Sequence, residues 1–599
     1  MSKTKMHKQG KTTKRRKSRG AALLVVLFIV MFLTVLSIGF VSRSDTELTC
    51  GQNMEFRAEL DYLAESGLEH ARGLILRPQD LSTEYWTGAD GQQIVTGDDY
   101  YDVQVVRDDS DPNNRCNYFI DCNSYRLENS QKIALSGLTA ELRLDPCIAY
   151  WIGSSTTVSG QSTINGDVYC VGDLVNSGTI RGDVFAGGLV SGSGITGSSN
   201  GSVSQAPVVW PAVAVASFYP TYYIGAAGYA AEVVAGPDHP SGSFGPSGGN
   251  PAGLRYAAGL GLRGNVNIDG TLVVSGDLEV TGSNNVVSSG KNFPALVVDG
   301  DVKIYSGSLQ VNGLAVVTGE VRIAAGGATL DVVGGLLVGN RVTELAVDAS
   351  GREVHAALYN GPTWRPAGGA QAGALEFDGV DDYLRTDDSA SELQLTGDYT
   401  LSFWVKADAA QEAWAGLLSK CDPAGNVNHW SVVFDSSGSR KVTVYHQYDP
   451  PATESWDTGL VLSDLTGGWR HVAIVRSGTT MKSYLDGFPR NTGTWDNNPG
   501  SGDGHLKIGS DCTGSPSYVY KGLMDDIRVY GRALDANDVY PPAGGLPDLI
   551  GNWKLDESGG EITITAAPCR TAVMVWSSGT VVERWEQAAG AFFKSIKRK

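Results

Sequence analysis

The sequence predicts a mainly β protein that begins with one long apolar helix. Of its 599 residues, 76 are glycine and only 19% are charged. Downstream of residue 77 the apolar residues occur singly or in short alternating runs, which is typical of strands. Near the N-terminus, in contrast, residues 21–41 contain no charge. The length predicts three or four domains with separate cores.

The net charge of −18 conceals an asymmetry between the first residues and the rest of the chain. Residues 1–19 contain nine Lys and Arg and no acid, whereas the remainder contains 38 basic and 65 acidic residues. Such an acidic body argues against nucleic acid as a partner, because phosphate contacts need a positive surface. The basic tract directly precedes the apolar run and therefore marks the cytoplasmic side. We expect a cell-envelope protein whose C-terminal body lies outside the cytoplasm, in the periplasm or at the cell surface.

Residues 21–41 are predicted to form a single transmembrane helix. At 1.5 Å per residue this run spans roughly 30 Å, the thickness of a bilayer core. It is longer than the apolar region of a cleaved secretory signal, and the cleavage site after it is weak. Residues 42–77 continue the helical pattern outside the membrane until Pro78 ends it. One face of this second half carries Phe56, Leu60, Leu63, Gly67, Ala71 and Leu74.

The N-terminal segment resembles the type IV prepilin family, particularly the minor pseudopilins of type IV pili and type II secretion. The resemblance covers about the first 75 residues and rests on the basic leader (1–20) ending in Arg19-Gly20, the run AALLVVLFIV and the helix tail AESGLEHARGLI. It implies cleavage after Gly20, methylation of Ala21, and pilin or pseudopilin subunits as partners. Most major pilins carry Glu at the fifth mature position, where this chain has Val25. A minor or tip subunit therefore fits better than a major one, and an uncleaved signal anchor is the alternative.

Two β-rich regions follow the helix. Residues 96–151 alternate like strands and predict a small β module, which in a pilin-like protein packs on the outer half of the helix. Residues 152–341 contain short β runs separated by Gly, Asn and Asp, such as STINGDVYCVGDL and LVVDGDVKI. This texture predicts a β-solenoid, with an irregular sandwich as the alternative. Within it, residues 205–263 are rich in Pro and Gly and predict a flexible insert or loop.

Residues 342–541 predict an antiparallel sandwich. In YTLSFWVKA, one face carries Tyr399, Leu401, Phe403 and Val405. The segments ALEFDGVDDYL, LTGDYTLSFWVKAD, GGWRHVAIVRSGTTMKSYLDG, GHLKIGS and YKGLMDDIRVYGRAL resemble the laminin-G-like, concanavalin A-like jelly-roll family. The resemblance implies a two-sheet sandwich that binds carbohydrate or protein in adhesion, often with bound Ca²⁺.

The segment WKLDE at 553–557 resembles the opening strand of that family but lies after the domain. Either this strand completes the jelly roll, or the jelly roll is inserted into the preceding module, whose last strands return after 550. Residues 542–599 contain further strands and a basic tail, GAFFKSIKRK, with the pattern of an amphipathic helix end. We expect this C-terminal strip to pack back on the N-terminal β module.

Two sets of residues in the predicted jelly roll are candidates for ligand binding. Calcium needs six to eight oxygens, and carboxylates at the FDGVDD turn and before the strand IRVY could supply several; turn chemistry alone is the alternative. These candidate metal ligands are Asp378, Asp381, Asp382, Asp525 and Asp526. Tryptophans on loops could stack on a pyranose ring or merely cover the core edge. They are Trp414, Trp430, Trp456 and Trp495.

The eight cysteines contain no C-x-x-C pair, which argues against a zinc or thioredoxin-type site. Export would permit disulfides, and the candidate pairs are Cys116–Cys122 and Cys421–Cys512; isolated buried thiols are the alternative.

No enzyme is expected, because the histidines form no metal-type pair and two enzyme-like glycine strings, at 245–249 and 259–264, lack the required strand–helix context. The sequence therefore predicts an anchored protein that displays a jelly roll for binding a glycan or a surface protein. A purely structural pilus or pseudopilus subunit is one alternative, and a carbohydrate-active enzyme with an unrecognised site is another.

Overall fold

The computed structural model describes the chain apart from several short segments. They are residues 1–18, 77–85, 109, 111–116, 146–147, 204–212, 225–226, 291–292, 387–392, 422–427, 450–451, 499, 501–503, 513–517, 541–546, 567–572, 578–579, 586–589 and 599. Strands dominate the described part, as the sequence predicts.

The N-terminal helix α1 spans Arg19–Leu76, 58 residues, so the predicted long helix is confirmed. Within the described residues it is the one helix long and apolar enough to cross a membrane. Its length and composition suit either a membrane anchor or a signal sequence. All its residues from Ala21 to Glu59 are exposed, and burial begins at Leu60.

A small antiparallel sheet packs on the second half of α1. Its first strands are β1 (Gly88–Gln92), β2 (Asp99–Arg107), β3 (Asn117–Glu128) and β4 (Gln131–Asp145), joined in that order. The Ser124 hydroxyl donates to the Leu60 carbonyl at 2.7 Å and links sheet to helix. The predicted helix face is buried at Leu60, Gly67 and Ala71, whereas Phe56 stays 39% exposed. The buried face of the helix is rotated relative to the predicted one and includes Ala64, Leu68 and Ile75. The spacing of apolar residues did not single out these three.

The closest approach of helix and sheet is at Gly67. A Cβ atom there would collide with the Cys122 sulfur and lie 2.8 Å from Tyr101 Cδ2, whereas a Cβ at Gly73 on the same helix would meet nothing. We expect Gly67→Ala to destabilise this contact by about 2 kcal/mol through overpacking. Gly73→Ala, the matched control, should stabilise the helix by about 0.5–1 kcal/mol. Hydrogen exchange of β3 would measure both effects, and equal protection in the two variants would contradict the expectation.

Very short strands form the middle of the chain. Residues 148–200 contain β5 (Ile148–Ile152), β6 (Thr156–Val158), β7 (Thr163–Asn165), β8 (Asp167–Cys170), β9 (Leu174–Asn176), β10 (Thr179–Arg181), β11 (Val184–Ala186), β12 (Val190–Gly192) and β13 (Ser199–Asn200). A 3-10 turn, Val215–Ser217, precedes the hairpin of β14 (Thr221–Ile224) and β15 (Ala227–Ala230). The next strands are β16 (Glu232–Val233), β17 (Asp238–His239), β18 (Gly242–Phe244), β19 (Arg255–Ala257), β20 (Leu260–Leu262), β21 (Val266–Asp269), β22 (Leu272–Val274), β23 (Leu278–Val280), β24 (Asn285–Ser288), β25 (Leu296–Val298), β26 (Val302–Ile304), β27 (Ser308–Val317), β28 (Val321–Ala324), β29 (Thr329–Val338) and β30 (Val342–Ala346).

Longer strands follow. They are β31 (Ala356–Tyr359), β32 (Thr363–Arg365), β33 (Ala374–Asp378), β34 (Tyr383–Thr386), β35 (Tyr399–Ala407), β36 (Gly416–Cys421), β37 (Asn428–Phe434), β38 (Lys441–Asp449), β39 (Ala452–Val461), β40 (Arg470–Ser477), β41 (Thr480–Leu485), β42 (Phe488–Thr494), β43 (Leu506–Ile508), β44 (Lys521–Tyr530) and β45 (Leu549–Trp553), with the short helix α2 (Leu462–Leu465) between β39 and β40. The chain ends with β46 (Glu561–Ala566), β47 (Val573–Ser577), β48 (Thr580–Trp585) and β49 (Gly590–Arg598).

The short strands stack in three parallel ladders, and successive strands along the chain pass from one ladder to the next. The first ladder runs β16-β19-β22-β25-β27-β29-β5-β8-β11-β13. The second runs β17-β20-β23-β26-β28-β30, with β6-β9-β12 as a separate sheet. The third runs β18-β21-β24-β27-β29-β46-β7-β10. Together these ladders are called the parallel stack below.

The order of strands in the parallel stack differs from their order in the sequence. The strands of 232–346 come first, and those of 148–200 continue the stack beyond them. At the join, β46 lies between β29 and β7 and pairs in parallel with both. One strand of the third ladder therefore comes from the chain that follows the jelly roll. Residues 347–560 are thus an insertion between two strands of the stack.

The segment between the two stretches covers one side of the parallel stack. In three-residue strands of the first ladder the outer two side chains point into the stack, and the middle one points out, as for Val273 and Val297. Phe218 and Tyr222 are fully buried against these outward side chains. The prediction of a flexible insert or loop at 205–263 is therefore wrong for its described residues. Phe218 and Tyr222 cover apolar side chains that leave the stack, and β16 to β20 are strands of the stack itself.

The longer strands form a two-sheet jelly roll. One sheet has the order β31-β34-β43-β36-β37-β38-β39, and β31 pairs antiparallel with β30 of the parallel stack. The other has the order β32-β33-β44-β35-β40-β41-β42, and β45 pairs with β44. The face of β35 that carries Leu401, Phe403 and Val405 lies in the jelly-roll core, and Thr400 and Ser402 on the opposite face are buried as well. Trp553 lies in β45 and is fully buried in the same core.

The C-terminal residues return to the N-terminal sheet. Strand β49 pairs antiparallel with β4, with Leu138 opposite Arg598, and adds a fifth strand. The expected return of the C-terminal strip is confirmed for β49, but β45 pairs with β44 of the jelly roll and β46 lies in the parallel stack. The helical prediction for the basic tail is wrong. An edge strand offers unpaired backbone groups, and pairing with β4 satisfies them. The hairpin β47–β48 precedes this strand.

Candidate functional site

The acidic turn after β33 brings three carboxylates together. One oxygen each of Asp378, Asp381 and Asp382 lies within 4.8 Å of the others. Gly379 has φ +79°, a left-handed conformation that closes the turn. The Asp382 carboxylate accepts the Asp378 amide at 2.9 Å. Burial and the charges of Asp378 and Asp381 raise the pKa of Asp382 to about 7.

This cluster has the chemistry of a divalent cation site. Oxygen ligands suit Ca²⁺, and a bound cation would offset the repulsion among the carboxylates, which adds to burial in raising the pKa of Asp382. The three carboxylates can supply about half of the six to eight oxygens that Ca²⁺ takes, and backbone carbonyls or water would supply the rest. The three residues therefore fit the group that the family resemblance implies.

The prediction that Asp525 and Asp526 approach this turn is wrong. In the pairing of β33 with β44, Asp378 lies opposite Lys521, four residues before Asp525 and therefore about 13 Å away along the strand. Asp525 is fully buried and accepts the amides of Ala370 and Gln371 at 2.7 and 2.9 Å. Asp526 pairs with Arg528 at 2.8 Å. The strand register, which the sequence left open, separates the two acidic groups.

Three of the four candidate tryptophans are not available for stacking on a sugar. Trp430 lies in β37 and is 1% exposed, with its indole N–H donating to the Leu393 carbonyl. Trp495 is 1% exposed and stacks on His446 at 3.6 Å, and Trp456 is 8% exposed. Their segments form strands or cover the core, so large apolar surface is drawn inward. Trp414 is half-buried and stays a prediction.

The structure contains a disulfide between Cys421 and Cys512, with Cα atoms 5.5 Å apart, so this predicted pair is confirmed. The disulfide joins the last residue of β36 to the segment that follows β43, and β43 is the neighbour of β36 in the sheet. Cys116 lies outside the described residues, which leaves its predicted pairing with Cys122 a prediction. Cys122 itself is buried beneath Gly67.

A cleft of about 550 Å³ lies where the jelly roll leaves the parallel stack, and it is called the junction cleft below. One wall comes from the corners of the stack between β5 and β10, and the other from the chain around β31 and β32. Asp381 of the acidic turn lies at its edge, where Asn360 donates to the Asp381 carbonyl at 2.8 Å. Its lining residues include Thr157, Gln161, Ser177, Arg341, Tyr359 and Trp364.

The aromatic side chains at this cleft are held by polar partners. Tyr359 stacks on Tyr383 with ring centroids 4.9 Å apart. The guanidinium carbon of Arg341 lies over the Tyr359 ring, 4.4 Å from its centroid. Arg341 in turn pairs with Glu320 at 2.9 Å. This group was missed by sequence analysis, because Tyr359 and Tyr383 become neighbours only through the pairing of β31 with β34.

Trp364 is the second aromatic residue of the cleft. Its indole N–H donates to the Glu344 carboxylate at 2.7 Å. Burial raises the pKa of Glu344, although hydrogen bonds from Ser159, Trp364 and the Gly560 amide oppose that rise. The ring is therefore held in place and stays partly exposed to the cleft.

The two-sheet module inserted into the parallel stack matches a known domain family. Residues 378–540 match the Laminin_G_3 family, described as the concanavalin A-like lectin/glucanases superfamily. The chain thus contains a concanavalin A-like jelly-roll domain. No curated protein matches the sequence.

Several solved structures are similar to about a third of the chain. Domain 4 of AbnA, a GH43 extracellular arabinanase from Geobacillus stearothermophilus solved with arabinotriose, is 20% identical, with a TM-score of 0.26, over 34% of this chain and 98% of that one. The SAP-like pentraxin of Limulus polyphemus is 17% identical, with a TM-score of 0.24, over 31% and 89%. The binding domain of Paraclostridial Mosquitocidal Protein 1 is 13% identical, with a TM-score of 0.26, over 33% and 50%.

Proposed function

We propose that this chain is a membrane-anchored protein that displays its jelly roll outside the cytoplasm for binding a glycan or a surface protein. The observation that carries the proposal is the combination of a helix whose apolar half is exposed along its whole length with a concanavalin A-like domain inserted into the parallel stack. Such an apolar surface is stable only in a lipid environment or under a partner. The basic residues before it orient the body away from the cytoplasm.

The parallel stack serves as a stalk in this proposal. Three parallel ladders with in-register pairing support its description as a β-solenoid, in which each layer buries its apolar side against the next. Its hydrogen bonds continue from β30 into β31 of the jelly roll. The binding module is therefore held at a defined position instead of on a flexible linker.

Calcium is proposed as a ligand of the acidic turn at Asp378, Asp381 and Asp382. When bound, the ion would offset most of the negative charge of the three carboxylates and hold the turn beside the junction cleft, while Gly379 keeps the turn closed. No enzyme activity is proposed.

Binding to a glycan array by the full chain in detergent tests the proposed function. We expect saccharide binding in the presence of Ca²⁺, and at least tenfold weaker binding with chelator or in Asp382→Asn. Asp496→Asn, on an exposed loop carboxylate of the same domain, is the control and should bind like the natural chain. The absence of any glycan or protein ligand would contradict the proposal and favour a purely structural subunit.

A second candidate role is that of a minor pilin-type subunit. It is supported by Arg19-Gly20 before the apolar run and by the packing of a small antiparallel sheet on the outer half of a 58-residue helix. N-terminal mass spectrometry of the mature protein tests it. A methylated Ala21 is expected, whereas an intact Met1 would contradict pilin processing and leave a plain anchor.

A further inference from the structure

We propose that the junction cleft is the saccharide-binding site of this protein, a site formed by the jelly roll and the parallel stack together. The inference rests on the proposed function and specifies where the ligand lies. The volume of about 550 Å³ falls within the range of small-ligand sites, roughly 300–1,000 Å³. It is large enough for a short oligosaccharide.

The two walls of the cleft offer complementary chemistry. The stack wall presents hydroxyl and amide side chains, namely Thr157, Gln161 and Ser177, which can both donate and accept. The jelly-roll wall presents the rings of Tyr359 and Trp364. A sugar ring has an apolar C–H face and an equatorial rim of hydroxyls, so it matches a site with aromatic faces on one side and neutral polar groups on the other.

Charge in the cleft favours an uncharged saccharide over a phosphorylated ligand. Among the described lining residues the one cationic side chain is Arg341, and Glu320 neutralises it at 2.9 Å. Asp173, Glu344 and Asp381 are acidic. Phosphate recognition needs several cationic or amide donors at one point, and this lining does not supply them.

An unused polar atom points to a ligand or ordered water at the same place. The hydroxyl oxygen of Thr343, a lining residue that is 4% exposed, has no hydrogen-bond partner among the described residues. A buried hydroxyl without a partner is costly, so such a group ordinarily bonds to a ligand or water.

The cleft is also preorganised. Trp364 is tied to Glu344, and Tyr359 is held between Arg341 and Tyr383. The two walls are joined by the β30–β31 pairing, so a ligand would not have to order them. Because Ser558 and Gly559 complete the lining, the cleft exists only when the chain re-enters the parallel stack at β46.

The test uses the full chain in detergent and a saccharide that binds the natural protein on the array. Ser177→Trp fills the cleft from an exposed corner, and Trp364→Ala removes an aromatic face. Ser193→Trp is the matched control at an exposed corner of the next layer, outside the cleft, and Tyr448→Ala removes a 37% exposed ring elsewhere on the jelly roll. Thermal unfolding and hydrogen exchange confirm that each variant is folded.

We expect at least a tenfold loss of affinity for the two cleft variants and unchanged affinity for the two controls. Bound saccharide should also slow hydrogen exchange at residues 157–161 in the natural chain. Natural affinity in both cleft variants would overturn the inference and leave the proposed function standing. If the natural chain bound a protein ligand and no saccharide, the cleft inference would be wrong while display for adhesion would remain. If it bound neither, both would be wrong.

Discussion

Replacing Ile564 by asparagine is expected to open the parallel stack at its join. Ile564 lies in β46 and is fully buried between Val332 of β29 and Ile164 of β7. The change removes a buried aliphatic side chain and leaves an amide without partners, which together cost about 4 kcal/mol or more. Because β46 links the layers of 232–346 to those of 148–200, both neighbouring layers should lose protection.

Hydrogen exchange resolved by segment is the measurement. Protection should fall in β29, β46 and β7, while the jelly-roll strands β35 and β40 keep theirs. Thr563→Asn is the matched control, because Thr563 is the adjacent, half-exposed residue of the same strand, and its effect should stay below about 1 kcal/mol. If Ile564→Asn and Thr563→Asn lost the same amount of protection, the expectation that the buried side chain of Ile564 holds the join together would be wrong.

The second large effect is expected when the Cys421–Cys512 disulfide is removed by changing both residues to serine. The bond links positions 91 residues apart. Closing a loop of that length restricts the unfolded chain by about 4–5 kcal/mol in the chain-entropy model. For a domain of this size such a loss lowers the melting temperature by about 10 °C or more.

Differential scanning calorimetry in detergent, with hydrogen exchange of β36 and β43, would measure this effect. Cys50→Ser is the control, since Cys50 is exposed on the helix and forms no disulfide, and it should leave the jelly-roll transition unchanged. If the double-serine variant had the same melting temperature as the natural chain, the disulfide would contribute little to the stability of the jelly roll.

Local patterns predicted much of the fold. The charge-free run and the periodicity up to Leu76 correspond to one continuous helix, and the alternation in YTLSFWVKA corresponds to strand β35. These predictions succeeded because the period of apolar residues follows directly from the geometry of helix and strand. The Cys421–Cys512 pair was also among the two suggested.

The candidate sites depended on register and were predicted less well. Asp525 lies four residues along β44 from Lys521, the residue opposite Asp378 in β33. The register of this strand pair fixes that separation, and the sequence does not reveal the register. Trp430 and Trp495 are buried because their segments lie in or beside the sandwich core. The rings of Tyr359 and Tyr383 meet only through strand pairing, so no local pattern could mark them.

Sequence alone determined that the chain carries one long apolar helix, short glycine-separated strands and an antiparallel sandwich, because each is encoded by local periodicity, turn residues and charge. Tertiary structure decided the order of the strands in the parallel stack, the return of β46 and β49, and the cleft between the modules. Short strands with similar apolar patterns can pair in many orders. Only the burial of complete layers, with partners far apart in the chain, selects one of those orders.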